Sequence, residues 1–153
     1  MIPPLLLCLL LPVATLAQPS HGYFAVGLGS SESKTTSQAA SGGEWMVAKG
    51  WGFGGELGVL AGHDSFGFFS GNGYYHLPVS RASDRRLDPF VTGGGGVALR
   101  VFGNSAGLVN FGGGVNYWFL QRLGVRLEIR DMVAPDSFDS RHFWGFRFGL
   151  AFH

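Results

Sequence analysis

The chain has 153 residues, which leaves room for one domain. Charged residues make up 14% of it and aromatics another 14%, against the roughly 25% charged that is usual in soluble proteins. A net charge of +1 argues against a nucleic-acid partner and against a polybasic membrane-surface patch. Two lysines, Lys34 and Lys49, are too few for an ordinary solvated exterior.

Residues 1–17, MIPPLLLCLLLPVATLA, carry an apolar run from Leu5 to Leu11, continued by Val13, Ala14 and Leu16. The run is shorter than the about 20 residues of a transmembrane helix. Thr15 and Ala17 put small side chains where a signal peptidase reads them. The pattern predicts a secretory signal peptide over 1–17, cut before Gln18, and a single domain over 18–153. It departs from the usual pattern in that no Lys or Arg precedes the apolar run. Cys8 is the only cysteine and lies in the leader, so disulfides and thiol chemistry are not expected in the domain.

Eight strand candidates follow, each alternating with a period of two. The first runs from Tyr23 to Gly29, with Phe24, Val26 and Leu28 on one face. The polar stretch SSESKTTS is expected to be a loop. The second strand, Gln38 to Val47, carries Trp45 and Val47 opposite Glu44. A tight Ala48-Lys49-Gly50 turn leads to the third, where Trp51, Phe53, Leu57 and Val59 oppose Gly52, Gly54, Glu56 and Gly58.

The fourth strand, Phe68 to Leu77, sets Phe69, Tyr75 and Leu77 against Ser70, Asn72, Tyr74 and His76. A connection through PVSRASDRRLD reaches the fifth, Phe90 to Phe102, with Val91, Val97, Leu99 and Val101 opposite Thr92, Gly94, Gly96, Ala98 and Arg100. The sixth, Leu108 to Phe119, sets Val109, Phe111, Val115, Tyr117 and Phe119 against Asn110, Gly112, Gly114 and Asn116. In the seventh, Val125, Leu127 and Ile129 alternate with Arg126, Glu128 and Arg130. The loop APDSFDSRH precedes a closing strand in which Trp144, Phe146, Phe148, Leu150 and Phe152 alternate with Gly145, Arg147, Gly149 and Ala151. Sequential strands with short connections form an antiparallel meander.

Two barrels fit such alternation: a soluble, lipocalin-like one with apolar residues inside, and a membrane one with them outside. The second face decides between them. It is mostly glycine and asparagine, with Glu44, Glu56 and Glu128 set against Arg100, Arg126, Arg130 and Arg147. Such a face suits a cramped lumen rather than a water-facing wall. An arginine on the lipid face would cost roughly 2–4 kcal/mol at the bilayer midplane, so Arg147 is expected inside, near Glu128 and, across the lumen, Glu56. The closing-strand residues Trp144, Phe146, Phe148, Leu150 and Phe152 are expected to face lipid. Trp45, Trp51, Tyr117, Trp118, Phe119, Phe143 and Trp144 are expected to form interfacial girdles. The fold class is thus all-β: an eight-stranded, antiparallel, up-and-down transmembrane β-barrel.

Three passages carry a resemblance: SGNGYYHLP followed by LDPFVTGGGGVALR, then NFGGGVNYWFLQRLGVRLEIRD, and FWGFRFGLAF. They resemble the fourth and fifth strands, the penultimate hairpin and the closing strand of the small eight-stranded outer-membrane β-barrel proteins of Gram-negative bacteria. The resemblance implies export to the outer membrane, outer-membrane lipid as the surroundings, insertion by the barrel-assembly machinery, a monomer, and both chain ends on the periplasmic side. The family usually ends on an aromatic residue, whereas here Phe152 is followed by His153. The Pro78–Asp88 connection is long for the periplasmic side, and the outer loop near Gly103–Gly107 is short.

Candidate chemistry is sparse. Ser70 and His76 share a face, but six residues of strand separate them by about 20 Å. Asp131 and His142 flank the last outer loop and can approach each other, yet neither pair has a third orienting group. The chain is read as a non-enzyme. The five histidines are scattered, and His63 with Asp64 lacks ligand spacing, so no metal or cofactor is expected. Gly93–Gly96 is not a phosphate loop, because neither a helix nor a Lys-Ser/Thr pair follows it. An eight-stranded interior is just wide enough to be filled by side chains. The expected role is therefore structural in the envelope, or interactive through the outer loops, with the lumen plugged by the Arg/Glu set. The alternatives are a narrow, porin-like small-solute pore and a secreted, soluble ligand-binding barrel.

Overall fold

The computed structural model describes residues 20–62, 65–79, 86–99, 105–135 and 141–153. The expected leader, the His63–Asp64 pair and Arg100 lie outside them. Eight strands follow in order: β1 (His21–Ser31), β2 (Lys34–Ala48), β3 (Trp51–Ala61), β4 (Phe66–His76), β5 (Leu87–Leu99), β6 (Ala106–Leu120), β7 (Leu123–Ala134) and β8 (Arg141–Phe152). Each pairs antiparallel with its neighbours in sequence, and β1 pairs with β8 to close the barrel. Closure satisfies every ladder position without leaving a sheet edge, which hydrocarbon would not tolerate.

Most strands begin earlier or run further than the alternation alone predicts, and three of the extensions matter. SSESKTTS is not a loop: β1 and β2 run on until Ser31 pairs with Lys34, leaving a two-residue turn of Glu32 and Ser33. Both have positive φ, 48° and 66°, as a tight hairpin turn requires. β1 begins two residues before Tyr23, which brings His21 into the wall, and β5 begins at Leu87, which does the same for Asp88. The β4–β5 connection is anchored where Leu77 N donates to Pro89 O at 2.9 Å.

Outside, the closing strand presents Trp144, Phe146, Phe148, Leu150 and Phe152, all between 46% and 56% exposed. Phe24, Val26 and Leu28 on β1, Phe53, Leu57 and Val59 on β3, and Leu127 and Ile129 on β7 continue this exposed apolar surface. Burial alternates strictly along β8, so Arg147 lies inside at 1% exposure. Among the described strand residues, the outward face carries only two acidic or basic side chains, Asp131 and His142, and these bond to each other at 2.7 Å. An exposed apolar wall around a charged interior inverts the soluble arrangement. It is the distribution that hydrocarbon surroundings select.

Two expected girdle residues are not on that surface. Phe143 is 3% exposed and packs into the lumen, because it shares the parity of Gly145 and Arg147. Trp118 shares the parity of Asn116 and turns over the barrel mouth, stacking on His153 with ring centroids 4.1 Å apart. Trp45, Trp51, Tyr117, Phe119 and Trp144 are exposed.

Candidate functional site

The lumen is the candidate site. Its ends differ. At the end carrying the β1–β2, β3–β4, β5–β6 and β7–β8 connections, the interior is apolar. Ala40, Leu60, Phe66, Phe68, Ala98, Leu108, Met132 and Phe143 form one buried cluster, drawn from seven strands. Phe66 meets Phe143 edge to face, with centroids 5.2 Å apart. This packing was not foreseen from the sequence, because the inner face there reads as isolated apolar residues on separate strands.

Below it lies an ion network. Arg147 donates two hydrogen bonds to Glu56, Nη2 to Oε2 at 2.8 Å and Nη1 to Oε1 at 3.1 Å. Arg130 donates to Glu56 Oε1 at 3.2 Å and to Glu128 Oε1 at 2.5 Å. Arg126 Nε donates to Glu128 Oε2 at 2.9 Å, and Arg147 Nη1 lies 3.6 Å from Glu128 Oε1. Three guanidinium groups therefore share two carboxylates, all with fully buried side chains. Arg126 also has its Cζ 4.2 Å from the Tyr23 ring centroid and 4.0 Å from that of Phe90, where π-faces offer its charge further compensation. Tyr23 donates to Glu56 Oε2 at 2.5 Å.

At the end carrying Ser20 and His153 lies a third group. Glu44 is in the lumen, but its partners are histidines rather than arginines: His76 Nε2 at 2.5 Å and His21 Nε2 at 3.4 Å. His76 Nδ1 in turn meets Asp88 Oδ1 at 2.6 Å. Asn116 donates to Asp88 Oδ2 at 3.1 Å and accepts from Arg126 Nη1 at 3.2 Å, joining this group to the ion network. A cavity of about 580 Å³ opens here, lined in part by His21, His76, Asp88, Trp118 and His153. His21 and Asp88 did not emerge as candidates because they lie beyond the expected strand ends; the parity of Tyr23 and of Phe90 would have placed both inside.

Of the pairs considered for catalysis, Ser70 and His76 are both buried but serve different groups, Ser70 accepting from Asn72 at 3.2 Å. His142 Nδ1 and Asp131 Oδ2 do meet, on the outer wall. Among the described residues no hydrogen bond joins a serine or threonine hydroxyl to His142.

No family model and no curated protein matches this sequence. Solved structures do. The N-terminal β-barrel domain of Pseudomonas aeruginosa OprF aligns over 89% of this chain and 99% of its own, with a TM-score of 0.64 at 14% identity. Neisserial surface protein A, NspA, aligns over 87% and 94%, with a TM-score of 0.65 at 9% identity. The outer-membrane enzyme PagL aligns over 83% and 97%, with a TM-score of 0.62 at 11% identity. At such identities the likeness is one of fold, and it extends over nearly the whole of each neighbour. The chain has the fold of the small eight-stranded β-barrels of bacterial outer membranes.

Proposed function

We propose that this protein is an integral outer-membrane barrel whose role is structural in the envelope and whose lumen does not conduct. One observation carries the reading: the interior is filled in two successive ways. An apolar cluster at one end lies against a network of five mutually paired ionic side chains, Glu56, Arg126, Glu128, Arg130 and Arg147. Ions crossing the barrel would have to displace both. The outward wall supports the location, and the two-residue β1–β2 turn favours an envelope role over surface contacts, since it offers a partner little to hold.

Purified protein reconstituted in planar bilayers tests the reading. It should give no stepwise currents at moderate voltage; unitary steps that scale with salt concentration would replace the plug with a narrow pore. Heat-modifiable migration of the membrane fraction on a detergent gel tests the location. A soluble fraction carrying the folded protein would return it to a secreted, ligand-binding barrel.

A further inference from the structure

We propose that Ser30, His142 and Asp131 form a hydrolytic site on the outer wall of the barrel, which cleaves a fatty-acyl ester of a membrane lipid. Ser30 is its nucleophile and His142 its base, while Asp131 positions the imidazole. The acyl chain lies in the apolar groove directly beneath. The lumen takes no part, so the site and the plug stand or fall separately.

Ionisable side chains are rare where a membrane protein meets lipid and mark function when they occur. Asp131 Oδ2 lies 2.7 Å from His142 Nδ1. A carboxylate accepting from Nδ1–H fixes the tautomer whose lone pair is on Nε2, as a general base requires. The Asp131 side chain is only 19% exposed, whereas that of His142 is 57% exposed, open to a substrate.

Strand register supplies the third member. Trp144 on β8 pairs with Asp131 on β7 and with Ser30 on β1. Serine and aspartate therefore flank one residue in a single row, with backbones about 10 Å apart. His142, two residues nearer the rim on β8, stands diagonally between them. Ser30 has the parity of Phe24, Val26 and Leu28, so it shares the outward face with His142. The two diagonals have the same offset from register, and the one to Asp131 is closed by a hydrogen bond. The one to Ser30 is open in the free protein, as nucleophile–base bonds often are before a substrate binds.

The groove is an independent observation. Leu28 and Val26 follow Ser30 down β1, and Phe146 and Phe148 follow Trp144 down β8. With Ala39 and Val59 they line an apolar groove of about 590 Å³. It exists because Ala39, small, lies between Val26 and Val59 in one ladder row and recesses the wall there. Trp144 is 56% exposed and marks head-group depth, where esters join acyl chains to polar heads. A chain seated in the groove brings its ester carbonyl to Ser30. Ser30 Oγ attacks that carbon while His142 Nε2 takes its proton; the bond to the alcohol breaks, and the proton passes to the departing oxygen. Water then attacks acyl-Ser30, giving one proton through His142 back to Ser30 and releasing the fatty acid.

Two measurements on the detergent-folded protein test this. A long-chain fluorophosphonate should label the unaltered protein at Ser30, located by peptide mass spectrometry; no label, or a label elsewhere, overturns the proposal. Hydrolysis of p-nitrophenyl dodecanoate should be lost in Ser30→Ala, and His142→Gln should lower kcat by about 10²–10⁴-fold. Asp131→Asn should lower kcat and leave KM unchanged, as befits a positioning residue. Ala39→Phe, which fills the groove, should raise KM for the dodecanoate and not for the acetate. Ser41→Ala, whose hydroxyl bonds Tyr23 O on the same wall, should change nothing. Heat-modifiable migration shows that each variant is folded, and activity that survives Ser30→Ala sinks the assignment. Vesicles of phosphatidylethanolamine and of lipopolysaccharide then distinguish the source of the ester. Fatty acid released from either supports a lipid substrate, and release from neither overturns it.

Discussion

Arg147 on β8 and Glu56 on β3 lie 91 residues apart in sequence and face each other across the lumen through two hydrogen bonds, at 2.8 and 3.1 Å. Glu56 also receives Arg130 and Tyr23, so one carboxylate joins β1, β3, β7 and β8. Removing it leaves two buried guanidinium groups short of an acceptor. Glu56→Ala should lower the unfolding free energy by about 3–5 kcal/mol, the usual cost of leaving a buried charge without its partner. Urea unfolding in lipid vesicles, followed by tryptophan fluorescence, measures it.

Neighbouring residues of β8 should respond in opposite ways. Phe148→Arg places a charge on the outward face and should cost roughly 2–4 kcal/mol near mid-membrane, enough to block stable insertion. Arg147→Leu alters only the interior, where Glu56 keeps Arg130 and Tyr23. That variant should still insert, with reduced stability. Heat-modifiable migration after refolding into vesicles separates the two, and the reverse outcome would mean the faces are inverted.

Two glycines on the β4–β5 ladder should differ sharply when changed to alanine. A Cβ on inward Gly94 would run into the Gly71 carbonyl and Asn72, whereas one on outward Gly71 meets nothing within 4 Å. Gly71→Ala should stay within about 0.5 kcal/mol of the parent, as surface substitutions usually do. Gly94→Ala should be destabilised by about 1–3 kcal/mol through overpacking. The midpoint of urea unfolding reads both.

The β1–β2 turn has room for improvement. Glu32 and Ser33 adopt positive φ, for which neither has a preference. Replacing them with Asn-Gly, the pair that such two-residue turns favour, should stabilise the barrel by about 1–2 kcal/mol. The loss is small, because the Arg141–Glu32 pair at 3.6 Å is exposed. A higher midpoint with an unchanged slope of unfolding would establish the gain.

Most of the wall was legible from alternation. Phe146, Phe148 and Leu150 read as one face and Arg147 as the other, because in a strand the side of each residue depends only on its parity. The same rule, carried further, would have placed Phe143 and Trp118 inside. They were assigned by chemical type instead, as aromatics near strand ends. The strand limits were less legible. The polar residues of SSESKTTS resemble a loop, yet in a barrel they prolong the hairpin above the apolar wall, where pairing no longer needs hydrophobic side chains.

Strand number, facing and closure thus follow from the sequence, since a period of two is local and hydrocarbon admits only a closed sheet. Which inward residues meet is decided by the tertiary structure alone. Glu44 reads as one more carboxylate for the arginines, yet the staggered register of β1, β2 and β4 sets it beside His21 and His76. Contacts across a lumen depend on how every strand is offset from the next, a sum over the whole circumference that no single segment contains.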